Sequence, residues 1–305
     1  MNIMKYNEWE DTALTLHLVA QMLGKVKVAR MDPQPEWNHI VLHMTPEGFT
    51  TGLIPNGPKS FSVSILVHEG KVVTTGVDGR SSSFAFENGT SIQEYYAQFN
   101  RMLADVMCQT EIYTVPQEMS ITTPFEHIDE KRDYNNQHAV DFFKMCVFAH
   151  NAELEFVSPF RGKKMLPSFF WGTFDISSIL FSGKPAPFGN GGGIIEKVAF
   201  DEQMLEFGFW PGDENVADPS FFLLPYPFLT SDLSGEPIRP DSAIFSNEKK
   251  EFFLSLEDVM KAKNPLKAIQ EFFQSGYEII TRTEGWQNLE WFGTPLLAKK
   301  GKNKA

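Results

Sequence analysis

The aromatic run PSFFWGTFD, from Pro167 to Asp175, ends in a carboxylate and is the strongest candidate for the wall of a binding site. Side chains alternate between the two faces of a strand, so Asp175 and Trp171 are predicted to share one face. A carboxyl group beside a Trp ring can anchor a ligand with a shifted pKa. It could equally accept a backbone hydrogen bond or pair with Lys184. We take Asp175 as a candidate catalytic residue, and Trp171 and Lys184 as candidate ligand contacts.

Two further aromatic residues stand at predicted strand ends. GFWPG places Trp210 just before a Pro-Gly turn, and LLPYPF places Tyr226 between two prolines, as at a sheet edge. Rings with polar tips at strand ends are typical of small-molecule pockets. The alternative is that these aromatics anchor turns and cover the rim of the core.

The histidines offer a general base but no metal site. On the first predicted helix, His17 lies on one stripe with Glu10 and Gln21, which we expect to face solvent because the opposite side is apolar. His17 could act as a base only if that stripe faced a cleft. Trp37 and His39 should share a strand face with His43, but two histidines four residues apart on a strand are about 13 Å apart, too far to share a metal ion.

Several catalytic motifs are absent from the sequence. It contains no GxxxxGK[ST], HExxH, GxSxG or GxGxxG, and GNGGG fails the last because Ile194 stands where the third glycine belongs. Nucleotide hydrolysis, zincin chemistry and the α/β-hydrolase mechanism therefore lack support. The glycine run is interpreted as a flexible loop.

The helices and strands that carry these residues are predicted to form two similar halves. A helix is predicted from Asn7 to a Gly24 cap, then a strand in NHIVLHMT, hairpins at Gly70 and Gly79, and a helix over 91–107. The second half repeats this order, and closes on a helix capped by Asn264. We predict an α+β fold of antiparallel sheets packed with helices, with a possible internal duplication. The predicted units are an N-terminal half (1–120), a connector (121–134), a C-terminal half (135–290) and a tail (291–305) that is disordered at its end.

Composition narrows the class of partner. The net charge of −12 disfavours nucleic acid and anionic membranes as partners. The acidic N-terminus is unlike a signal peptide, and no apolar run reaches the length of a membrane span, so we expect a cytoplasmic protein, either a monomer or a homodimer. Only Cys108 and Cys146 are present, and both are predicted to be core residues.

The segments EWEDTALTLHL, Gly24-Lys25, WNH, FFWGTFD, FSGK, GFWPG and YP together resemble a bacterial family, domain of unknown function 5996. The resemblance runs from about residue 5 to residue 290. It implies no reaction. It implies instead a set of positions that the family pattern singles out: Trp9, Thr12, His17, Lys25, Trp37, His39, Trp171, Asp175, Gly183, Trp210, Pro211 and Tyr226. Ser168, Glu202 and Gln203 stand where many members carry His, His and Glu, which lowers the case for an enzyme.

Three hypotheses follow. The first is a small-molecule-binding protein with an aromatic-lined cleft between the halves, whose candidate contacts are Lys25, Trp37, Trp171, Lys184, Trp210 and Tyr226. The second is a hydrolase or lyase with His17 or His39 as general base and Asp175 as its partner. The third is a structural or interaction protein whose aromatics are core. The sequence does not identify a cofactor, so whether the protein uses one stays unknown.

Overall fold

The computed structural model describes residues 1–191 and 193–296. Its first half is a long helix, an antiparallel meander of five strands and a second helix. The predicted hairpins at Gly70 and Gly79 are present, and both glycines have a positive φ. These elements are α1 (Glu10–Arg30), β1 (His43–Thr45), β2 (Gly48–Thr50), β3 (Phe61–Leu66), β4 (Lys71–Gly76), β5 (Ser81–Ala85), β6 (Thr90–Ser91) and α2 (Ile92–Asp105).

The second half builds a six-stranded antiparallel sheet in the order β12-β13-β11-β10-β9-β8. The predicted closing helix begins at Pro265 and is capped by the Asn264 side chain. The elements are β7 (Lys131–Arg132), α3 (Asn136–Val157), β8 (Lys164–Phe170), β9 (Asp175–Pro185), α4 (Ile194–Ala199), β10 (Glu202–Trp210), β11 (Ser220–Tyr226), β12 (Ile244–Ser246), β13 (Glu251–Ser255), α5 (Leu256–Lys261), α6 (Pro265–Thr283) and α7 (Leu289–Phe292).

Helices packed on antiparallel sheets confirm the predicted α+β fold, and the two halves share a hydrophobic core. Leu42 and Phe169 exchange backbone hydrogen bonds of 2.9 and 2.8 Å, and so join the edge of the first sheet to β8. Within the predicted connector, β7 pairs with β6. The internal duplication and the domain limits stay predictions, and the end of the predicted tail, 297–305, lies outside the described residues.

Helix α1 differs from its prediction, which ended the helix at Gly24. It runs past Gly24 to Arg30, and is buried on nearly every side from Thr12 to Lys27. Gly24 is not a cap. A Cβ at this position would lie 2.1 Å from the Trp171 ring, so glycine lets that ring pack directly on the helix backbone. The expected solvent-facing stripe is therefore wrong, because residues on it contact neighbouring loops.

The segment that reads as one strand in the sequence is a hairpin. Strand β8 ends at Phe170, residues 171–174 turn, and β9 begins at Asp175. Phe174 takes a left-handed conformation with φ of 65°, which closes the turn. The strand predicted in NHIVLHMT is also shorter than expected. Trp37 lies in a 3-10 turn (Pro35–Trp37), and only residues 43–45 pair as β1.

The six-stranded sheet has one face against the core and one face that is partly open. The core face packs on α3 and α6, as shown by the contacts of Phe207 with Phe156 and Phe273 at 4.9 and 5.3 Å between ring centroids. Because side chains alternate, the neighbouring positions point away from that core. Those positions are Asp175, Ile179, Met204, Glu206, Trp210, Phe222, Leu224, Glu251 and Phe253.

Candidate functional site

A cavity of about 300 Å³ lies on the open face of the six-stranded sheet. All nine of those outward positions line it, joined by Phe170 and Trp171 from the β8–β9 hairpin. The volume is at the lower end of the range for ligand pockets. The walls are largely aromatic and aliphatic, with carboxyl groups between the rings. Most of the lining comes from the second half, and the first half supplies residues near 36–41 and Glu118.

The roof of the cavity is made by the turn at residues 36–41 and by α4. The Trp37 Nε1–H donates to the Ile195 carbonyl at 3.2 Å, which joins these two pieces. Trp171 Nε1–H donates to the Ile40 carbonyl at 2.9 Å, and the buried Lys27 ammonium donates to the Val41 carbonyl. The roof is therefore fixed to both the hairpin and α1.

Unfavourable backbone conformations cluster around the cavity. Three of its lining residues, Glu36, Trp37 and Glu118, have φ of 53°, 56° and 57°. Phe174 and Lys250, each adjacent in sequence to a lining residue, have φ of 65° and 60°. A left-handed conformation costs a residue with a side chain about 1 kcal/mol or more, and such residues concentrate at functional sites.

Asp175 is buried and lies on the floor of the cavity. Its carboxylate accepts hydrogen bonds from the hydroxyls of Thr173 and Ser177. Burial raises the pKa of Asp175 to about 6, although these two hydrogen bonds oppose the rise. The pairing with Lys184 is not found, since Lys184 is exposed on β9 and does not line the cavity.

Two more carboxyl groups share this floor with raised pKa values. Burial, reinforced by the charge of Asp175, raises the pKa of Glu206 to about 8. Burial likewise raises the pKa of Glu251 to about 7, while nearby Lys249 opposes the rise. Among the described residues that line the cavity, Lys249 is the one basic side chain, and it stays exposed at the rim. Ionisation of these acids is therefore costly in this site.

Glu118 reaches the cavity edge from the loop that follows α2. Its Oε2 lies where a side chain at Gly172 would begin, 1.8 Å from the position of that missing Cβ. Glu36 is buried in the roof, and its carboxylate accepts from Lys163, which also pairs with Glu202 at 2.9 Å. The carboxylate of Glu36 is thus paired with Lys163, whereas within the described part of the chain Asp175, Glu206 and Glu251 on the floor are not paired with a basic side chain.

Residues on α1 hold the cavity wall in place from behind. Gln21 Nε2 donates to the Gln117 carbonyl at 2.7 Å, and Gln21 Oε1 accepts from the Gln117 N–H at 2.8 Å. Lys25 Nζ donates to the Val115 carbonyl at 2.8 Å and to Gln117 Oε1 at 3.0 Å. These contacts fix the loop that carries Glu118. Burial lowers the pKa of Lys25 to about 8.

His17 supports the β8–β9 turn. Its Nε2–H donates to the Gly172 carbonyl at 2.9 Å, and its ring stacks on Phe174 at 4.7 Å. Burial lowers the pKa of His17 to about 4, so the ring is neutral near pH 7. His17 lines a second cavity of about 790 Å³, which shares Glu118, Thr173 and Trp210 with the first. Because the Nε2–H of His17 donates to the Gly172 carbonyl, His17 does not pair with Asp175.

The structure brings together only part of the predicted set. Trp37, Trp171, Trp210 and Asp175 line the cavity on the sheet. His39 is buried outside its lining, stacked on Trp37 at 5.3 Å, with Nδ1 accepting from the Gln34 N–H. Tyr226, at the end of β11, is also outside the lining. Its ring centroid lies 5.0 Å from that of Phe200, which does line the cavity. Lys25 does not line the cavity, but its hydrogen bonds fix the loop that carries Glu118. Lys184 is exposed on β9 and does not line the cavity either.

Sequence reasoning missed the remaining acids of the cavity, Glu36, Glu118, Glu206 and Glu251. Alternation within QMLEFGFW does place Glu206 on the same strand face as Trp210, so a usable signal existed for one of them. The other three depend on loop conformation or on strand order, which local patterns do not report.

Among residues 1–191 and 193–296, no group of three or more His, Cys, Asp or Glu side chains is arranged to hold a metal ion. Over the same part of the chain, no helix combines the length and apolar character needed to cross a membrane.

Comparison with known proteins gives one match. The model of a family of unknown function, DUF5996, matches residues 2–291, and the chain belongs to this family. No curated protein and no solved structure matches it.

Proposed function

We propose that this member of the DUF5996 family binds a small organic molecule in the cavity on the six-stranded sheet. One observation carries the proposal. Trp37, Trp171, Trp210 and Asp175 are distant in sequence, yet all line the same hollow of about 300 Å³. A largely apolar hollow with a few convergent polar groups is the usual form of a ligand site.

The strained backbone around the cavity supports the same proposal. Left-handed residues persist only where the surrounding structure holds them in place. Here the roof is held by Trp171 and Lys27, and the loop that carries Glu118 is held by Gln21 and Lys25. This support from several elements favours a preformed site over a packing defect.

A histidine-dependent hydrolase receives less support. The Nε2–H of His17 donates to the Gly172 carbonyl, and Nδ1 of His39 accepts from the Gln34 N–H. Neither ring has an acid as its hydrogen-bond partner, and neither lines the cavity that holds Asp175. A general base needs reach to the reacting proton and an orienting partner, so binding without His catalysis is the function that we propose.

A thermal-shift screen of cationic, neutral and anionic metabolites tests the proposal. Ala199→Trp fills the cavity from α4, and Val198→Trp is its matched control because Val198 is on the same helix but outside the lining. A ligand at a hundred times its Kd stabilises the folded state by about 2.7 kcal/mol. We expect hits that raise the Tm of the wild type and of Val198→Trp, but not of Ala199→Trp. A screen without hits, or hits that stabilise all three proteins equally, would overturn the proposal.

A further inference from the structure

We propose that the ligand is an organic cation, a protonated amine carried on an aromatic or aliphatic body. This inference rests on the proposed function, and adds the chemical class of the ligand. Its basis is the combination of carboxyl groups and aromatic rings on the walls of one cavity.

The carboxylates reach the cavity from separate elements. Asp175 comes from β9, Glu206 from β10, Glu251 from β13 and Glu118 from the loop after α2. Among the described residues, no basic group lies within 4 Å of Glu206 or Glu251 as an ion-pair partner, and Asp175 is held by neutral hydroxyls. Among the described residues these acids therefore have no basic partner, and burial disfavours their ionised forms. A bound ammonium group would supply the positive charge that pairs with them.

The aromatic walls suit a cation as well. Trp37, Trp171 and Trp210 contribute indole rings, and indole is the best partner for a cation over its face. The chain itself shows this use, because Lys249 Nζ lies 5.6 Å from the centroid of the Trp210 ring at the rim. This ammonium group, tethered and exposed, occupies the kind of position that a ligand ammonium would take deeper in the cavity.

Other classes of ligand fit less well. A phosphate or carboxylate would meet several acids and only the rim ammonium of Lys249. A metal ion would need three or more ligating side chains in one group, and the described residues contain none. A neutral polar molecule could hydrogen-bond to the acids of the floor, but it would bring no positive charge to favour their ionised forms. The apolar walls accommodate the body of an amine.

Binding of an amine should release protons. Glu206 faces Asp175 on β9, Glu251 on β13, Glu118 on its loop and the Ser177 hydroxyl, and its pKa is about 8. An ammonium group favours the ionised carboxylate, so amine affinity should rise by up to about tenfold per pH unit between pH 6 and 8. A neutral ligand should show no such dependence.

Calorimetric titration with two matched sets of probes tests the ligand class. One set is tryptamine, 3-ethylindole and indole-3-propionate, and the other is phenethylamine, ethylbenzene and 3-phenylpropionate. We expect the amine to bind at least tenfold tighter than its neutral analogue in one set or both, with the anion weakest. Glu206→Gln should weaken the amine about tenfold and leave the neutral analogue unchanged, while Glu248→Gln, at an exposed position, should change neither.

The two proposals fail in different ways. If neutral or anionic probes bind as tightly as the amines, and Ala199→Trp abolishes that binding, the cavity is a ligand site but the cation assignment is wrong. The same conclusion follows if neither set binds and the hits of the metabolite screen are neutral or anionic. If no probe or metabolite of any charge binds, the proposed function fails and this inference fails with it.

Discussion

Replacing Glu206 with Gln should stabilise the folded protein at alkaline pH. Glutamine resembles the protonated carboxyl group but cannot ionise. The pKa of Glu206 is about 8 in the folded protein, against an ordinary 4.5. At about 1.4 kcal/mol per pKa unit, this difference corresponds to roughly 5 kcal/mol as an upper limit. Glu206 keeps some exposure in the cavity, so water screens part of the cost, and we expect about 2 to 3 kcal/mol.

The pH dependence of this stabilisation follows from linkage. Between pH 4.5 and 8 the folded state holds the Glu206 proton more tightly than the unfolded state, so the wild type loses stability as the pH rises through this window. The Gln variant lacks this loss. The difference in free energy of unfolding should therefore be near zero below pH 4.5 and largest above pH 8.

Urea unfolding at pH 4.5, 6, 7 and 8.5 measures the difference directly. Glu248→Gln removes a carboxylate from an exposed position, and should track the wild type at every pH. A Glu206→Gln variant whose stability relative to wild type does not change with pH, or falls as pH rises, would refute the reasoning about the buried acids.

Three further predictions concern the supports of the cavity. Gly24→Ala should lower the free energy of unfolding by about 2 kcal/mol or more, because the new Cβ would lie 2.1 Å from the Trp171 ring, although Ala in a helix normally stabilises. Gln21→Leu should cost about 3 kcal/mol in a denaturant titration and speed hydrogen exchange at the Gln117 amide, since it leaves that N–H and C=O unpaired. The His17 ring should show no NMR titration between pH 5 and 8, because its pKa is about 4.

Each of these predictions has a control in the same chain. Gly189→Ala adds a Cβ that meets nothing within 4 Å, and should leave stability unchanged. Gln274→Leu replaces an exposed glutamine of α6 and should not affect the Gln117 amide. The His17 signal is identified as the one missing from the spectrum of His17→Gln. A Gly24→Ala variant as stable as the wild type would contradict the close packing of Trp171 on α1. Unchanged hydrogen exchange at the Gln117 amide would contradict its bond to Gln21. A His17 signal that titrates near pH 6.5 would contradict the burial of that ring.

Local patterns predicted much of the fold. The hairpins at Gly70 and Gly79, the helix capped by Ser91 and the helix that begins at Pro265 all rest on turn or capping residues whose signal is contained within a few positions. Such signals depend on backbone preferences and not on distant partners. They could therefore be recognised from the sequence alone.

The errors have one physical cause, which is that distant contacts override local preference. Gly24 is typical of a helix end, but the Trp171 ring requires glycine there within a continuing helix. His17 and Gln21 are polar and were expected to face solvent, but both bind loop backbone that arrives from more than 90 residues away. The sequence gives no signal for the turn at 171–174, because a phenylalanine seldom adopts the positive φ that Phe174 has there.

The residues of the candidate site also differ in whether a local sequence pattern could identify them. Trp210 and Asp175 could be selected because a ring or an acid at a strand end is a visible pattern. Glu118 and Glu251 could not, since the first depends on a left-handed loop residue and the second on a sheet order that places β13 beside β11. Lys25 looked like a ligand contact, yet its hydrogen bonds serve the wall of the cavity.

A crystal structure of the protein grown with the tightest amine from the two probe sets tests the central claim most directly. We predict ligand density between the rings of Trp37, Trp171 and Trp210, with the nitrogen within hydrogen-bond distance of Glu206 or Asp175. A cavity filled by its own side chains, or a ligand bound only at another surface, would contradict the account.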